Sequence, residues 1–430
     1  MAQQTAKRKK MGIVKTLGRA FLGDVRYGEI SLPFFSYIMI LIVVGLVMMA
    51  SASYAWAYAN EGDGLYYAKN QAISAVIGFI VMIFLAGMDY HNFKKIKIPG
   101  LRNLNIAGLL YLFGLIMLVL VLLMGKDEGG SMGAKRWLVI GPINFQPSEV
   151  AKLTLIVYFA YSMEKKFKKM NKFVPGILYY ALFLAPYAVC IGLEPHLSGL
   201  VLICAIAAAL IICGGANKWW LIIFLVVGIL GIVIIIKWQG GIDGSYVATR
   251  LKSWRDPFAD ILNETWQTGH SLIAIGSGGL FGLGFGNSRE KYLYLPETKN
   301  DFVFPIVCEE LGFIGALAVI FVFILLIIEG YSIAARCRDR FGMLLAVGFT
   351  THIGIQTVFN LAVVSNLIPN TGISLPFFSY GGTALIMQMA EMGIVLNISR
   401  ERYFPEKDDT DDDDENNDDG EDEYDPPKEA

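Results

Sequence analysis

Charged residues, histidines and paired cysteines are scarce in this sequence of 430 residues. Only 17% of the residues are Asp, Glu, Lys or Arg, whereas 55% are hydrophobic, and this balance excludes a chain made of soluble domains. The five cysteines are odd in number and lie mostly within apolar runs, which argues against a disulfide framework and against zinc. No Lys-Ser or Lys-Thr pair follows the Gly-rich stretch 276–286, so a nucleotide-phosphate loop is excluded as well. The four histidines lack metal-ligand spacing, and His91, in a basic loop, is expected to be solvated.

Long apolar runs, each able to cross a bilayer as a helix of about 18–20 residues, recur along the chain. Ten such segments predict an all-α, polytopic integral membrane protein. Their predicted bounds are 34–53, 71–88, 104–124, 148–163, 174–193, 197–213, 219–236, 302–329, 343–364 and 375–398.

The basic residues alternate from loop to loop. Twenty Lys and Arg precede the first segment or occupy every second loop, whereas the short loops between them hold only Lys69, Lys126, Lys135 and Arg136. Because cytoplasmic loops retain Lys and Arg, both termini are predicted to be cytoplasmic. The chain then divides into a basic N-terminal segment (1–33), a ten-helix membrane domain (34–400) and an acidic tail (401–430). The tail has no apolar periodicity and is predicted to be disordered.

Two stretches on the outer side, 125–147 and 237–301, are longer than a connection requires, which is typical of functional loops. The second lies between the predicted seventh and eighth helices. Its Gly-rich apolar stretch, residues 273–286, is expected to form short helices on or in the outer leaflet.

The first cluster of candidate site residues follows the first long loop. It comprises Lys135, Arg136 and Trp137, then Glu149 and Lys152 one turn inside the membrane. Ser148 is predicted to be a helix N-cap. Glu149 and Lys152 share a helix face at a spacing of three, so that they could bind a charged ligand or form a structural ion pair with each other.

The second cluster lies in the second long loop. Its candidate residues are Arg250, Lys252, Arg289, Lys291 and Glu297, and the excess of positive charge there predicts an anionic ligand, with contacts to lipid headgroups as the alternative.

Asp301 ends this loop and directly precedes an apolar run. Partial burial at the boundary of water and lipid is expected to raise its pKa and suit it to act as a general base. The alternative is a helix N-cap.

The third cluster comprises residues 369–372 and 375–383, including Ser379 and Gly381. Its prolines and glycines are typical of a broken helix that lines a cavity, or of close helix packing. The octapeptide 30–37 recurs identically at 373–380, which we interpret as coincidence reinforced by a proline at a helix entrance.

At these same clusters the sequence resembles the SEDS family of membrane glycosyltransferases, which includes FtsW and RodA, and it is more similar to FtsW. The resemblance extends over residues 30–402. The segments that carry it are 133–137, 146–152, 194–195, 255–258, 282–288, 295–297, 301–302, 309–312, 369–382 and 397–400. The sequence departs from the family at Lys299-Asn300, where a His-Thr pair is usual, and at His196, where an acidic residue is common.

The resemblance implies an all-α SEDS-type fold in the cytoplasmic membrane of a bacterium. It also implies an enzyme that polymerises lipid II, the undecaprenyl-diphosphate-linked disaccharide-peptide, into peptidoglycan on the outer face, with inversion and during septal synthesis. Asp301 then matches the catalytic carboxylate. Residues Arg136, Arg250, Lys252, Arg289 and Lys291 are expected to hold diphosphates, with Mg²⁺ or Mn²⁺ as the assisting metal and no organic cofactor.

The same resemblance implies a class B penicillin-binding protein as the transpeptidase partner, alongside other division or elongation proteins and with no nucleic acid. Three alternatives remain open at this point. They are a lipid II flippase, a polymerase of the elongation type like RodA, and a division scaffold without catalytic activity.

Overall fold

The computed structural model describes residues 30–95, 105–125, 136–140, 143–194, 197–217, 219, 220, 222, 226, 246–261, 263 and 265–400. Lys135, the acidic tail, most of the basic N-terminal segment and nearly all of the predicted crossing 219–236 lie outside these residues.

The regular secondary structure of the described residues is helical apart from one small hairpin. The helices are α1 (Leu32–Glu61), α2 (Tyr66–Gly87), α3 (Asn92–Lys95), α4 (Ile106–Met124), α5 (Pro147–Lys166), α6 (Tyr179–Leu193), α7 (Leu197–Cys213), α8 (Tyr246–Arg255), α9 (Trp266–Ser277), α10 (Val303–Arg336), α11 (Arg340–Val364) and α12 (Gly382–Ser399). A short 3-10 helix (Phe167–Lys169) and a π-helical turn (Val174–Leu178) join α5 to α6. Strands β1 (Leu138–Ile140) and β2 (Ile143–Phe145) pair antiparallel, with Leu138 opposite Phe145.

Nine of the ten predicted membrane segments correspond to helices within the described residues. Among the described residues, seven helices are long and apolar enough to cross a membrane, whereas α7 is shorter. Helix α5 is more polar because it carries Glu149 and Lys152 in its first turns. The all-α, multi-pass fold is therefore confirmed. Of the stretch 273–286, which was predicted to form short helices, only residues 273–277 at the end of α9 are helical, and α8 lies earlier in the same loop.

The helix starts follow local chemistry, with one exception to the sequence prediction. The Asn105 side chain accepts a hydrogen bond from Gly108 N, and the Asp339 side chain accepts one from Gly342 N, as N-caps do. The prediction that Ser148 caps α5 is wrong. The helix begins at Pro147, which has no N–H to satisfy, and Ser148 is buried inside the first turn.

Helix α10 defines the two ends of the bundle, because Asp301 precedes its start and Asp339 follows its end; we call these the Asp301 end and the Asp339 end. At the Asp339 end, Lys94 Nζ lies 2.7 Å from Glu164 Oε1 and 3.4 Å from Asp339 Oδ1. The prediction that His91 is solvated is wrong, since its ring contacts Asp89 at 2.7 Å and Asp339 at 3.3 Å. Burial disfavours the charged ring, but the bonds to Asp339 and Asp89 outweigh it and raise the pKa of His91 to about 9.

Glycines let backbones approach closely at two places. Helices α2 and α12 pack side by side, and a Cβ on Gly393 would lie 2.5 Å from the carbonyl oxygen of Met82. Within α10, Gly312 has a φ of 70° and interrupts the helix. The freed carbonyls of Glu309 and Glu310 accept hydrogen bonds from the amides of Leu283 and Gly284, so that the stretch after α9 is fastened to the break.

Candidate active site

Asp301 lies in the turn that leads into α10 and does not cap that helix. The N-cap position belongs to Phe302, and no side chain makes a capping bond there. The N-cap alternative for Asp301 is therefore wrong. Its carbonyl oxygen accepts a hydrogen bond from Asn360 Nδ2 at 2.8 Å, which fixes the backbone on the polar face of α11.

The Asp301 carboxylate is partly buried among charges of both signs. Burial, reinforced by the negative charge of Glu297, raises its pKa to about 6, while the charges of Arg250 and Arg136 act in the opposite direction. The wall facing it is backbone, because a Cβ on Gly372 would lie 3.2 Å from Asp301 Oδ2. Gly372 has a φ of 69°, a conformation that side chains other than glycine rarely adopt.

The two arginines reach Asp301 from different parts of the chain. Arg136 precedes β1, and its Nε donates to the carbonyl of Glu194 at 3.3 Å. Arg250 lies on α8, and its Nη1 donates to the carbonyl of Asn370 at 2.8 Å. Residues from all three clusters of the sequence therefore meet at one place around a titratable carboxylate.

Glu194 is a neighbouring acid that sequence reasoning noted only as part of a motif. Its side chain is buried at the end of α6, and neither carboxylate oxygen has a hydrogen-bond partner within the described residues. Burial raises the pKa of Glu194 to about 8 despite the opposing charge of Arg136. The sequence signal for Glu194 was that it is a single acidic residue at the end of an apolar run, just before a proline.

The third cluster forms a non-helical wall, and α12 begins at Gly382, seven residues later than predicted. The side chain of Gln71 bridges this wall, donating to the carbonyl of Ser379 at 2.9 Å and accepting from Gly381 N at 3.1 Å. Ser379 Oγ accepts from Leu375 N at 2.8 Å. The alternative of close helix packing is supported as well, because a Cβ on Gly382 would lie 2.6 Å from Ser74 Oγ. Ser379 and Gly381 thus support the wall through contacts inside the protein.

Lys291 does not fit its predicted role of holding a diphosphate. It is buried, and its ammonium lies 2.8 Å from Glu310 Oε1, 2.9 Å from Ser51 Oγ and 2.6 Å from the Gly286 carbonyl. Three acceptors use the three N–H groups of a lysine, so none remains for a substrate.

The other predicted residues of the loops lie near the surface. Arg289 and Lys252 are exposed, Trp137 is half-buried beside β1, and Glu297 is exposed with its Oε2 accepting from Asn300 Nδ2 at 2.6 Å. Arg289 and Lys252 are therefore accessible to an anion.

Glu149 and Lys152 form the structural pair that was one of the two alternatives. Lys152 Nζ lies 2.8 Å from Glu149 Oε1 and 3.4 Å from Gln356 Oε1, and all three side chains are buried in the protein. A second buried pair is formed by His352 Nδ1 and Glu391 Oε2, which are 2.7 Å apart. The charges of Lys152 and Glu149 act on Glu391. Gln356, which contacts Lys152, also donates from its Nε2 to the carbonyl of Ser374 at 3.0 Å. The Glu149–Lys152 pair therefore supports the wall of the site indirectly.

The fold and the site define a multi-pass membrane protein with a titratable carboxylate held among arginines at one end of its helix bundle. The chain belongs to the FtsW/RodA/SpoVE family of cell cycle proteins, whose model matches residues 32–404. A probable peptidoglycan glycosyltransferase FtsW from Geobacter sp. (strain M18) is 34% identical over 84% of this chain and 94% of that protein. Stage V sporulation protein E of Bacillus subtilis (strain 168) is 34% identical over the same shares.

Solved structures give the same result. A peptidoglycan synthase complex that coordinates polymerization and crosslinking contains a chain that matches with a TM-score of 0.68 at 25% identity, covering 87% of this chain and 99% of that one. The crystal structure of Thermus thermophilus rod shape determining protein RodA matches with a TM-score of 0.61 at 25% identity, covering 87% and 98%. The resemblance to the SEDS family is thereby confirmed.

Proposed function

We propose that this protein is a peptidoglycan glycosyltransferase that polymerises lipid II during cell division. The observation that carries the proposal is the partly buried Asp301 carboxylate, on which the charges of Arg136 and Arg250 act, in a chain whose relatives carry the name of this enzyme. A base and fixed positive charges are the two elements that glycosyl transfer from a lipid diphosphate needs.

Asp301 acts as the general base. It accepts the proton of the 4-hydroxyl of the acceptor GlcNAc as that oxygen attacks the anomeric carbon of the donor MurNAc, and the lipid diphosphate leaves from the opposite face with inversion. A pKa of about 6 keeps the carboxylate mostly ionised at neutral pH and more basic than an exposed aspartate.

The arginines neutralise the leaving group. A diphosphate departs without protonation when its negative charge is balanced, so preorganised cations substitute for a general acid. Arg136 and Arg250 are anchored through backbone carbonyls at 3.3 and 2.8 Å, which holds them in place before the substrate arrives. Lys252 and Arg289 extend this positive surface outward, and Lys135 and Trp137 flank Arg136 in the sequence.

A divalent metal would fit this site only with help from the substrate. Among the described residues no group of three or more His, Cys, Asp or Glu side chains is placed to hold one. Carboxylate oxygen suits Mg²⁺ or Mn²⁺, and Mg²⁺ is commonly held by one or two carboxylates together with substrate phosphates. Glu297 would be the protein ligand, and the metal would neutralise diphosphate charge. The reaction requires no organic cofactor.

We infer that the Asp301 end faces outward in a bacterial cytoplasmic membrane, with both termini cytoplasmic. The opposite end carries Lys94, Lys165, Lys166, Lys168 and Lys169, as a cytoplasmic surface does. The partner is a class B penicillin-binding protein that crosslinks the product. A relative in a complex that coordinates polymerization and crosslinking supports this pairing.

The test is polymerisation of labelled lipid II by the purified protein with its transpeptidase partner. Asp301→Asn is expected to lower the rate by at least about 10²-fold, the smallest usual contribution of a general base. Asp63→Asn is the matched control, because Asp63 is an exposed carboxylate at the same end, paired with Lys69 at 2.6 Å.

Polymer from Asp301→Asn at a rate within tenfold of wild type would overturn the assignment. Movement of lipid II across vesicles without any polymer would favour a flippase instead. Depletion in cells is expected to give filaments; spheres would indicate an elongation enzyme of the RodA type.

A further inference from the structure

A second site lies at the Asp339 end, where a cavity of about 1020 Å³ opens among α4, α5, α6 and the 3-10 helix that follows α5. It is separate from the Asp301 site, because the two lie at opposite ends of α10. The proposed reaction does not use it.

The cavity is lined by an excess of positive charge. Five cations line it, Lys165, Lys166, Lys168, Lys169 and Arg340, against the single acid Glu164, which already pairs with Lys94 at 2.7 Å. Across the part of the chain that the structure describes, none of the five has a carboxylate within ion-pair distance. A topological preference for basic residues explains lysines on this face, but it does not explain their convergence on a cavity.

Aromatic rings hold two of these cations in place. Lys166 Nζ lies 2.9 Å from the ring centroid of Tyr179, and Arg340 Cζ lies 3.2 Å from that of Phe167. Cation–π contacts orient a charge without neutralising it, so the ammonium and guanidinium groups keep their attraction for an anion.

The inner wall of the cavity is amphipathic. The hydroxyl groups of Tyr158 and Tyr179 are 3.0 Å apart and supply hydrogen-bonding groups beneath the lysines. Leu112 and Phe183 continue the lining along the membrane-spanning helices α4 and α6. Leu112 is 45% exposed, as a residue that faces lipid is. The cavity is therefore open to the bilayer as well as to water.

We propose that this cavity binds the phosphate headgroup of an anionic membrane lipid, with its acyl chain along Leu112 and Phe183. The phosphate bonds to the lysines and to the tyrosine hydroxyls. Basic pockets between membrane helices bind lipid headgroups in this way. A free phosphate would satisfy the cations but leave the apolar wall uncovered. The apolar wall therefore favours a lipid phosphate over free inorganic phosphate.

Native mass spectrometry of the full-length protein, loaded with phosphatidylglycerol or phosphatidylcholine, tests the proposal. The wild type is expected to retain phosphatidylglycerol preferentially. The double variant Lys166→Gln, Lys169→Gln is expected to weaken this binding by roughly 25-fold, because each basic residue near an anionic headgroup contributes about fivefold. Lys172→Gln is the matched control, since Lys172 is exposed in the same connection but does not line the cavity.

Three results would overturn the proposal. They are equal retention of the two lipids by the wild type, unchanged retention by the double variant, and complete displacement of the lipid by millimolar inorganic phosphate. Should the double variant fail to fold, as judged by thermal unfolding, Arg340→Gln replaces it and is expected to weaken binding about fivefold. None of these results depends on the polymerase activity.

Discussion

Arg250→Gln separates the two effects that the site geometry assigns to this arginine. Its positive charge lowers the pKa of Asp301 against the opposing effects of burial and Glu297. Its removal therefore raises the pKa of the base above about 6. We expect a rise of about one pH unit, the lower end of the change that a nearby opposite charge causes.

The magnitude follows from the fraction of ionised base. At pH 6.5 a carboxylate with a pKa of about 6 is roughly three-quarters ionised, and one with a pKa of about 7 is roughly one-quarter ionised, so titration alone lowers the rate about threefold. At pH 8 both are more than about 90% ionised. Any loss of activity that remains at pH 8 then reports weaker binding of the diphosphate.

The assay is kcat/KM for lipid II polymerisation between pH 5.5 and 8.5, which reports the pKa of the free enzyme. Arg250→Lys keeps the charge, so its acid limb should stay near that of the wild type. Arg255→Gln is the control on the same helix, because Arg255 is not among the charges that shift Asp301. An acid limb of Arg250→Gln that coincides with that of the wild type would refute the electrostatic account.

Three further predictions concern stability and are measured by thermal and denaturant unfolding in detergent. Lys152→Met should lower the free energy of unfolding by about 3–5 kcal/mol, because it leaves Glu149 as an uncompensated buried charge. A double variant that also carries Glu149→Gln should recover most of this loss. No recovery would contradict the pairing. The pKa of His91 is raised from 6.5 to about 9 in the folded protein. The contribution of its protonated ring to the free energy of unfolding is therefore complete below pH 6.5 and is lost as the pH rises through about 9. The melting temperature should fall over that range in the wild type and stay level in His91→Gln; parallel curves would exclude the effect. Gly45→Ala should lower the free energy of unfolding by about 1–3 kcal/mol, because the added Cβ would lie 2.5 Å from the carbonyl oxygen of Phe377. Gly87→Ala, whose Cβ would have nothing within 4 Å, should change it little. Equal effects of the two variants would contradict this packing.

The sequence predicted the helices well because hydrophobic length is a local property. The segment 197–213 was predicted with the observed bounds, and most other helix ends differ by a few residues. Motif similarity pointed to Asp301, and positive charge pointed to Arg136 and Arg250. Lys291 could not be distinguished from these arginines, because its burial depends on Glu310 and Ser51, which lie far from each other in the sequence.

The polar contacts of the interior were also beyond prediction. Asn360 bonds the carbonyls of Asp301 and Ile373 at 2.8 and 2.6 Å, and thereby joins the base to the wall opposite it. An asparagine in an apolar helix gives no signal of its partners until the chain is folded. Gln71 and Gln356 act in the same manner on other parts of the wall.

The repeated octapeptide shows that its eight residues alone do not determine the break before α12. In the first copy, residues 30–37, the helix begins at Leu32 with Pro33 in its first turn and continues to Glu61. In the second copy, residues 373–380, the same letters are not helical, and Phe377 has a φ of 65°. The flanking residues differ, since Gly381 and Gly382 follow the second copy, and the tertiary contacts differ as well. The Gln388 side chain accepts from Phe377 N at 3.0 Å, and Gly45 leaves room for the Phe377 carbonyl. These contacts replace the helical hydrogen bonds and keep the backbone open beside Gly372, where a continuous helix would remove the wall that faces Asp301.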